Sequence, residues 1–492
     1  MENNSKFRNH ASIILEKSIK VIGTTIVVFL LNILSDLKEV GMSTTDILWL
    51  VGVVTVILVV VLGYQAIIWS KTYISIEENT LVIERNTINR KRNTIGLRNV
   101  SNVNLEQNLL EMILGTCKVK LDTNSLSTAD ETDVNIVLKK ADAEKFRALV
   151  LAKAEGRDVI EETQSEDMAR EAAEDKADGI QGCMSDILLH GVFSLRITSF
   201  VILVILIAAG SGILQDLGLD ATEEVFAELF GSLIAVLWFS VMLIWGMAKE
   251  FFKYLNFRIS RKKDKVYLSY GLFKKVAYSV PVDKINGIRL SQTPIARMGK
   301  RYMVEIINVG MDDDETEANT FFLPYNKIET IEAQLHMLLP EFDGALEIKE
   351  EKQPKVIWLL SLPWLALYLL IAGVAYWAVG TYASDTSFKE AVLVAAAVVL
   401  AWRTITKLAG FLTKGIKVDE KFLKIVDGKF ARRLLFVKYD KIQYVTGNQC
   451  ILAKHFKIQK GTISLLASLK NRMHELPYFN ENDMELLKKE LI

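Results

Sequence analysis

VSNVNLEQNLLEMILG, residues 100–115, returns twice more in the chain, as INGIRLSQTPIARMG at 285–299 and IQYVTGNQCILAKHF at 442–456. Val103, Ile288 and Val445 hold one position of this repeat, and Gln107, Gln292 and Gln449 hold another, with no gap between copies. Upstream, Arg90, Lys275 and Arg432 stay in register, as do Asn86, Gly271 and Gly428. Tyr73, Phe257 and Lys414 mark the start to within a residue. Such self-similarity decides architecture before any local reading does. Each copy follows a pair of long apolar runs, so the repeated unit is a membrane segment followed by a polar, strand-rich module.

Hydrophobic residues make up 50% of the 492-residue chain and are concentrated in blocks. A helix that crosses a bilayer takes about 20 predominantly apolar residues. Ser18–Leu34 is slightly short of that and Ile47–Trp69 is ample. Phe193–Leu214 with Phe226–Ala248, and Val356–Gly380 with Ala391–Phe411, form the second and third pairs. Core strands are far shorter than these runs. The expectation is six transmembrane helices in three pairs. The first run has a basic flank at Lys17 and Lys20 but no small-residue cleavage site, which favours an uncleaved span over a signal peptide.

The short connections set the orientation. Ser35–Asp46 carries Asp36, Lys38, Glu39 and Asp46; Gln215–Glu224 carries four acids and no Lys or Arg; Thr381–Glu390 carries Asp385, Lys389 and Glu390. The other flanks are basic: Lys6, Arg8, Lys17 and Lys20; Lys249, Lys253 and Arg258; Lys349, Lys352 and Lys355; Arg403, Lys407, Lys414 and Lys417. Lys and Arg mark the cytoplasmic side, so both termini and all three modules are expected there. Cys117, Cys183 and Cys450 then face a reducing compartment, and none forms a C-x-x-C pair, which argues against structural disulfides and a zinc site.

Within each module the pattern is the same. Tyr73–Glu84 alternates around Glu78-Asn79 as a hairpin does. Phe257–Gly271 and Gly415–Gly428 repeat it. Asn86, Gly271 and Gly428 end the hairpins with residues that tolerate positive φ. Basic residues follow, then a short strand and the aligned glutamine. Later strands are expected at Lys118–Asp122, Val304–Val309 and Thr462–Leu466, and at Asp133–Lys139 and Asn319–Pro324. A helix closes each module, at Ala141–Ala154, Tyr325–Leu339 (capped by Asn326) and Asn480–Leu491 (capped by Asn480 or Asn482). Short strands with one terminal amphipathic helix give an α+β module, a small barrel or bent sheet capped by its helix. The third copy has Lys457 where the first has Gly115, and a weak strand after Gln449, so its barrel is expected to be incomplete or specialised.

The domain plan reads as follows. Residues 1–70 hold the N-terminal segment and first pair, 71–154 the first module, and 155–192 a charged linker. Residues 193–250 hold the second pair and 251–345 the second module. Residues 346–411 hold a linker and the third pair, and 412–492 the third module.

The order hairpin, turn glycine, basic pair, hydrophobic strand, glutamine and closing helix resembles the bacterial pleckstrin-homology (PH) domain of the DUF304 type. Three such modules, each after a pair of spans, resemble the YdbT family of bacterial membrane proteins. The resemblance covers nearly the whole chain and rests on architecture more than on any single motif. It implies a PH-like fold, a bacterial cell-membrane location, a smaller single-module PH-like membrane protein as partner, and a part in envelope stress or antimicrobial resistance.

No catalytic constellation emerges from the residues. His10, His190, His336, His455 and His474 include no pair at metal-ligand spacing, and no P-loop, dinucleotide fingerprint or nucleophile elbow occurs. Gly210-Ser211-Gly212 reads as a packing feature, and Pro363 as a kink in the fifth span. Neither a cofactor nor a metal nor a nucleic-acid partner is expected. Arg90, Lys91 and Arg92, Lys274 and Lys275, and Arg432 and Arg433 are the candidate contacts with an anionic membrane surface or a partner. A Lys or Arg near an anionic leaflet is worth about 1 kcal/mol. A solvated turn is the plain alternative. Gln107, Gln292 and Gln449, with Gly271 and Gly428, read as structural, since a buried amide satisfies backbone groups at a corner. The function expected is a non-enzymatic membrane scaffold presenting three modules to protein or lipid, with a transporter or lipid-handling protein as the alternative.

Overall fold

Ser12–Asp36 (α1) and Thr44–Ser70 (α2) are helical and pack on one another in the computed structural model of the chain. The structure describes residues 6–36, 44–77, 79–87, 89–123, 134–154, 179–195, 221–308, 321–382, 386–467 and 469–491. Directly after α2 come Thr72–Glu77 (β1), Thr80–Asn86 (β2) and Arg90–Gly96 (β3), an antiparallel sheet in which Ile74 faces Ile83 and Val82 faces Thr94. Val100–Gln107 (β4), Thr116–Thr123 (β5) and Val134–Lys139 (β6) form a second antiparallel sheet, with the short helix Leu109–Leu114 (α3) between β4 and β5. Both sheets are rich in β-branched residues, which suit a pleated, half-buried surface. Lys140–Ala154 (α4) closes the module and buries Ala143, Phe146 and Val150. The core joins both sheets to that helix through Ile74, Leu81, Leu97, Val103, Val119 and Ile136. Each such side chain contributes about 1.5–3 kcal/mol on burial.

The second copy contains Met184–Phe193 (α5) and Ala221–Tyr254 (α6), then strands Arg258–Lys262 (β7), Lys265–Tyr270 (β8), Lys275–Pro281 (β9), Ile285–Gln292 (β10), Arg301–Asn308 (β11) and Phe321–Lys327 (β12). Pro294–Met298 (α7) follows β10, and Ile328–Leu338 (α8) closes the copy. Residues 325–327, expected in the closing helix, extend strand β12 instead: Asn326 pairs with Tyr302 and Lys327 with Arg301. The helix is therefore capped at Lys327 rather than Asn326.

In the third copy Leu362–Tyr382 (α9) and Thr386–Thr413 (α10) precede Gly415–Val418 (β13), Phe422–Gly428 (β14), Arg432–Lys438 (β15), Ile442–Asn448 (β16), Ile458–Leu465 (β17) and Met473–Asn480 (β18). Ile451–His455 (α11) follows β16, and Glu481–Glu490 (α12) closes the copy with Asn480 as its N-cap. The expectation of a weak strand after Gln449 is corrected. β17 is eight residues long and pairs with β16 on one side and β18 on the other. Lys457 stands at φ 53°, where Gly115 stands at φ 65° and Lys300 at φ 52°. All three copies thus make the same left-handed turn, and only the first gives it to glycine. Gly271 and Gly428 have φ 109° and 127°, and an added Cβ would fall 1.8 Å from the Lys274 carbonyl oxygen and 2.1 Å from that of Ala431. Asn86, at the aligned position, is not among the described residues with positive φ.

By compactness the chain forms two units, Met1–Asp178 with Tyr267–Ser279, and Gly179–Val266 with Val280–Ile492. The boundary does not follow the copies, because β9 belongs with the first module.

Among the described residues three helical stretches are long and apolar enough to cross a membrane, Val51–Ser70, Ile357–Thr381 and Val392–Thr413. The fifth-span helix is interrupted at Ser361, just before Pro363. α1 and α6 cover the runs Ser18–Leu34 and Phe226–Ala248. The run Phe193–Leu214 beyond Leu195, most of the linker 155–192, Gly210-Ser211-Gly212 and the hairpin residue Glu78 lie outside the described residues. Large apolar side chains line the outside of these helices, Trp49, Val59, Leu237, Trp245, Leu370 and Trp377 among them. A continuous apolar exterior of this extent is unfavourable in water and natural in lipid.

A short segment ahead of each helix pair returns to the strand that follows it. Phe7 exchanges both backbone hydrogen bonds with Ile74, at 2.8 Å each. Ile180 and Gln181 pair with Ile259 and Arg258, and Glu351 and Lys352 pair with Ile416 and Gly415. Ile74, Ile259 and Ile416 occupy one position of the repeat, so the clasp is part of the unit. In the first copy it also reaches the second sheet, where the His10 amide donates to the Val137 carbonyl and Asn9 Oδ1 accepts from the Val137 amide.

Candidate functional site: strand junctions between modules

The aligned basic residues and the aligned glutamines meet, but across copies rather than within one. β9 runs antiparallel to β4, placing Lys275 opposite Gln107, Val276 opposite Glu106 and Ala277 opposite Leu105. β15 runs antiparallel to β10 in the same sense, with Arg432 opposite Gln292 and a ladder of six pairs ending at Val437 opposite Gly287. The strand after the hairpin in one copy is thereby added to the glutamine-bearing strand of the copy before it. This is β-augmentation within a single chain.

At the first junction Glu106 is buried between two ammonium groups, Lys120 Nζ at 3.2 Å and Lys274 Nζ at 3.4 Å. At the second, Leu434, Leu435, Phe436 and Val437 meet Ile288 and Leu290, all buried. Burial of these apolar groups outweighs the ladder hydrogen bonds, each worth about 0.5–1.5 kcal/mol net. Gly287 is required by proximity: a Cβ there would lie 2.7 Å from the Phe436 carbonyl oxygen. Polar bonds surround this ladder. Arg432 pairs with Glu350, and Arg289 Nη2 donates to Asn471 Oδ1 at 2.7 Å. Arg297 Nη1 reaches Thr413 Oγ1 at 3.0 Å and the Lys429 carbonyl at 3.1 Å.

The glutamines do the same local work in every copy. Gln107 Nε2 donates to the Thr116 carbonyl at 2.7 Å, Gln292 Nε2 to that of Arg301 at 3.0 Å, and Gln449 Nε2 to that of Ile458 at 3.1 Å. Each amide ties the end of one strand to the beginning of the next across the intervening helix.

The basic residues do not form one class. Lys274, Lys275 and Arg432 sit at strand junctions, and Arg433 lies opposite Ser291 in the second ladder. Arg90, Lys91 and Arg92 are exposed on β3, which pairs only with β2 among the described residues. Arg92 is within 3.5 Å of both Glu77 and Glu84. Gln449 follows β16, which among the described residues pairs only with β17. Apolar residues on both faces of Arg432–Lys438 signal a strand covered on both sides. Nothing in the sequence names the strand beside it.

A second feature is distributed too widely in the chain to be read from spacing. Where α1 and α2 meet the first module, a cavity of about 240 Å³ is lined by Lys17, Gln65, Trp69, Arg85, Lys91 and Asn93, among others. Trp69 Nε1 donates to the Asn9 carbonyl at 2.7 Å, and the Arg8 guanidinium stacks over Tyr73 at 4.5 Å. Three cationic side chains face this space, which makes it suited to an anionic group.

Also unmarked in the sequence is His190 on α5. It is buried against Tyr254, Phe321 and Tyr325, and its Nδ1 accepts the Tyr325 amide at 3.1 Å. Burial, reinforced by Lys253, pushes its pKa down to about 3, so the ring is neutral. Burial likewise raises the Cys117 thiol to about 12, an inert thiol, whereas Cys183 and Cys450 are exposed.

Paired sheets closed by a helix, repeated along a chain of apolar helices, define a membrane protein with tandem PH-like modules. The sequence profile of the bacterial PH domain matches residues 27–154, 194–338 and 357–492, and the chain belongs to that family. It is similar to UPF0699 transmembrane protein YdbT of Bacillus subtilis (strain 168), with 28% identity over 101 residues, which is 20% of this chain and 20% of that protein. The match thus spans about a fifth of that relative's length. No solved structure matches the chain.

Proposed function

We propose that the protein is a non-enzymatic, multi-pass membrane scaffold that holds three cytoplasmic PH-like modules in series and binds a further PH-like protein through them. The observation that carries this reading is the pair of internal strand junctions: the modules already use their sheet edges to capture one another. A smaller single-module membrane protein fits such an edge, and envelope protection under antimicrobial stress is the physiological output proposed. Six spans in three hairpins form the anchor. The clasps support this, since the chain entering each helix pair and the chain leaving it meet in one strand pair, as a hairpin through the membrane requires. The basic flanks favour the cytoplasm for that side.

The test is purification of the tagged chain from native membranes in mild detergent. A protein partner carrying a PH-like module is expected, and recovery of the folded chain with lipid alone overturns the reading. Orientation is checked with a membrane-impermeant maleimide at the exposed Cys183 and Cys450. Labelling in inverted vesicles and not in intact cells is expected, and the reverse refutes it.

The cationic cavity favours a second contact, with the phosphate-bearing headgroup of an anionic lipid. Arg85→Gln is expected to lower the amount of anionic phospholipid retained on the purified protein, and an unchanged lipid content removes this contact.

A further inference from the structure

Two junctions of one kind inside the chain leave two half-junctions of the same kind unused. The strand that enters a junction from the following copy is β9 in the first and β15 in the second; its counterpart in the first copy is β3. The strand that receives it is β4 or β10; its counterpart in the third copy is β16. Among the described residues β3 is the outer strand of its sheet, and so is β16.

Exposure separates the used edges from the unused ones. Along β15 the residues Leu434–Val437 are buried, and along β10 all but Arg289 and Ser291 are. Along β3 only Ile95 is buried, and along β16 no residue is. Their composition still suits pairing. Thr94, Ile95, Tyr444, Val445 and Thr446 are strand formers, and neither strand contains proline, one of the devices that block an edge; the charges at Arg90–Arg92 are confined to one end of β3. The glutamine turn is also fully built at the vacant receiving edge, with Gln449 bonded to the Ile458 carbonyl as in the other two copies. The basic residue that opens the entering strand is present too, as Arg90.

We propose that β3 of one molecule adds to β16 of a second copy of this chain, in the register of the internal junctions. Lys275 opposite Gln107 and Arg432 opposite Gln292 fix that register. It places Arg90 opposite Gln449, Lys91 opposite Asn448 and Arg92 opposite Gly447, and continues to Ile95 opposite Tyr444. The basic end of β3 then meets uncharged polar residues, as Arg432 and Arg433 meet Gln292 and Ser291. The contact is heterologous: every molecule keeps one edge of each kind, so association continues into a closed ring or a row within the membrane plane. Fewer apolar residues are covered than at the second internal junction, so the intermolecular contact is the weaker one. This inference rests on the scaffold reading and names a partner for it.

The test uses the full chain in native membranes, with Cys183 and Cys450 replaced by serine and the inert Cys117 kept. One tagged copy carries Asn448→Cys and a second, differently tagged copy carries Lys91→Cys. Residues directly opposite in an antiparallel pair hold their Cβ atoms about 4.5–5.5 Å apart, close to disulfide geometry. Mild oxidation is expected to shift both tags to the mass of two chains, and the off-register combination of Asn448→Cys with Asn93→Cys is expected to give markedly less. Equal yields from both combinations refute the register. No two-chain species, with the Asn448→Cys chain instead joined to a different protein, overturns the choice of a second copy and leaves the scaffold standing. No joined protein of either kind, in a chain whose helices and sheets are intact, overturns both.

Discussion

Gly287→Ala isolates the second junction, because the closest atom to the added methyl is backbone of the partner strand. Its Cβ would sit 2.7 Å from the Phe436 carbonyl oxygen and 3.4 Å from Val437 Cγ2. Relief to ordinary contact needs the strands to part by roughly 0.7 Å, and overpacking of this kind costs about 1–3 kcal/mol. Gly287 is not among the positive-φ residues, so no dihedral strain confuses the reading. The gain from lower unfolded-state entropy has the opposite sign and is smaller, about 0.4–1 kcal/mol. Hydrogen exchange read by mass spectrometry on peptides covering β10 and β15 measures the result. At about 1.4 kcal/mol for each factor of ten, exchange in those peptides should rise about 5- to 150-fold. Peptides in β1, β2 and α4 should not change. Gly373→Ala, where no atom lies within 4 Å of the added Cβ, is the control. Unchanged protection in β15 would mean that the two strands are not in contact at this register.

Three further outcomes are expected. Acidification from pH 7 to pH 5 should destabilise the fold around His190. Its folded pKa, about 3, lies below the ordinary 6.5, so the unfolded state binds the proton first and stability is lost as pH falls through 6.5, roughly 2 kcal/mol by pH 5. His190→Asn, which keeps an acceptor for the Tyr325 amide, should flatten that pH dependence of thermal unfolding. Lys457→Gly should raise thermal stability by about 1 kcal/mol through relief of its left-handed backbone, with Gly115→Ala moving the other way. Gln292→Ala should cost about 0.5–1.5 kcal/mol, the net worth of the part-buried hydrogen bond to the Arg301 carbonyl; a neutral result in denaturant unfolding would remove the corner role.

The architecture was legible because it is periodic and local. Alternation around Glu78-Asn79 and the Gly271 and Gly428 turns mark hairpins, and long apolar runs mark helices. The boundary error at Tyr325–Lys327 has a plain cause, since those residues add to β11 and a tertiary pairing overrode a helical pattern. The apparent weakness of the third copy came from reading Lys457 as a departure from Gly115, although lysine adopts the same φ there and at Lys300. The junctions were not legible, because each joins strands more than a hundred residues apart. The one available hint was contrast: Arg432–Lys438 is apolar on both faces, while its counterpart Arg90–Gly96 is not. The cavity beside Trp69 draws Lys17 from α1 and Arg85 from β2, with the whole of α2 between them in the chain, which no local motif records.

The clasps have a consequence for biogenesis. Phe7, Ile180 and Glu351 are synthesised before the helices they bracket, and Ile74, Ile259 and Ile416 after them. Each module therefore cannot complete its first strand pair until the chain between the two clasp segments has been made and has folded back. On the proposed hairpin anchor, closure of that pair would report that the intervening helices are in place, and a chain whose helices fail to insert would leave the first strand unzipped.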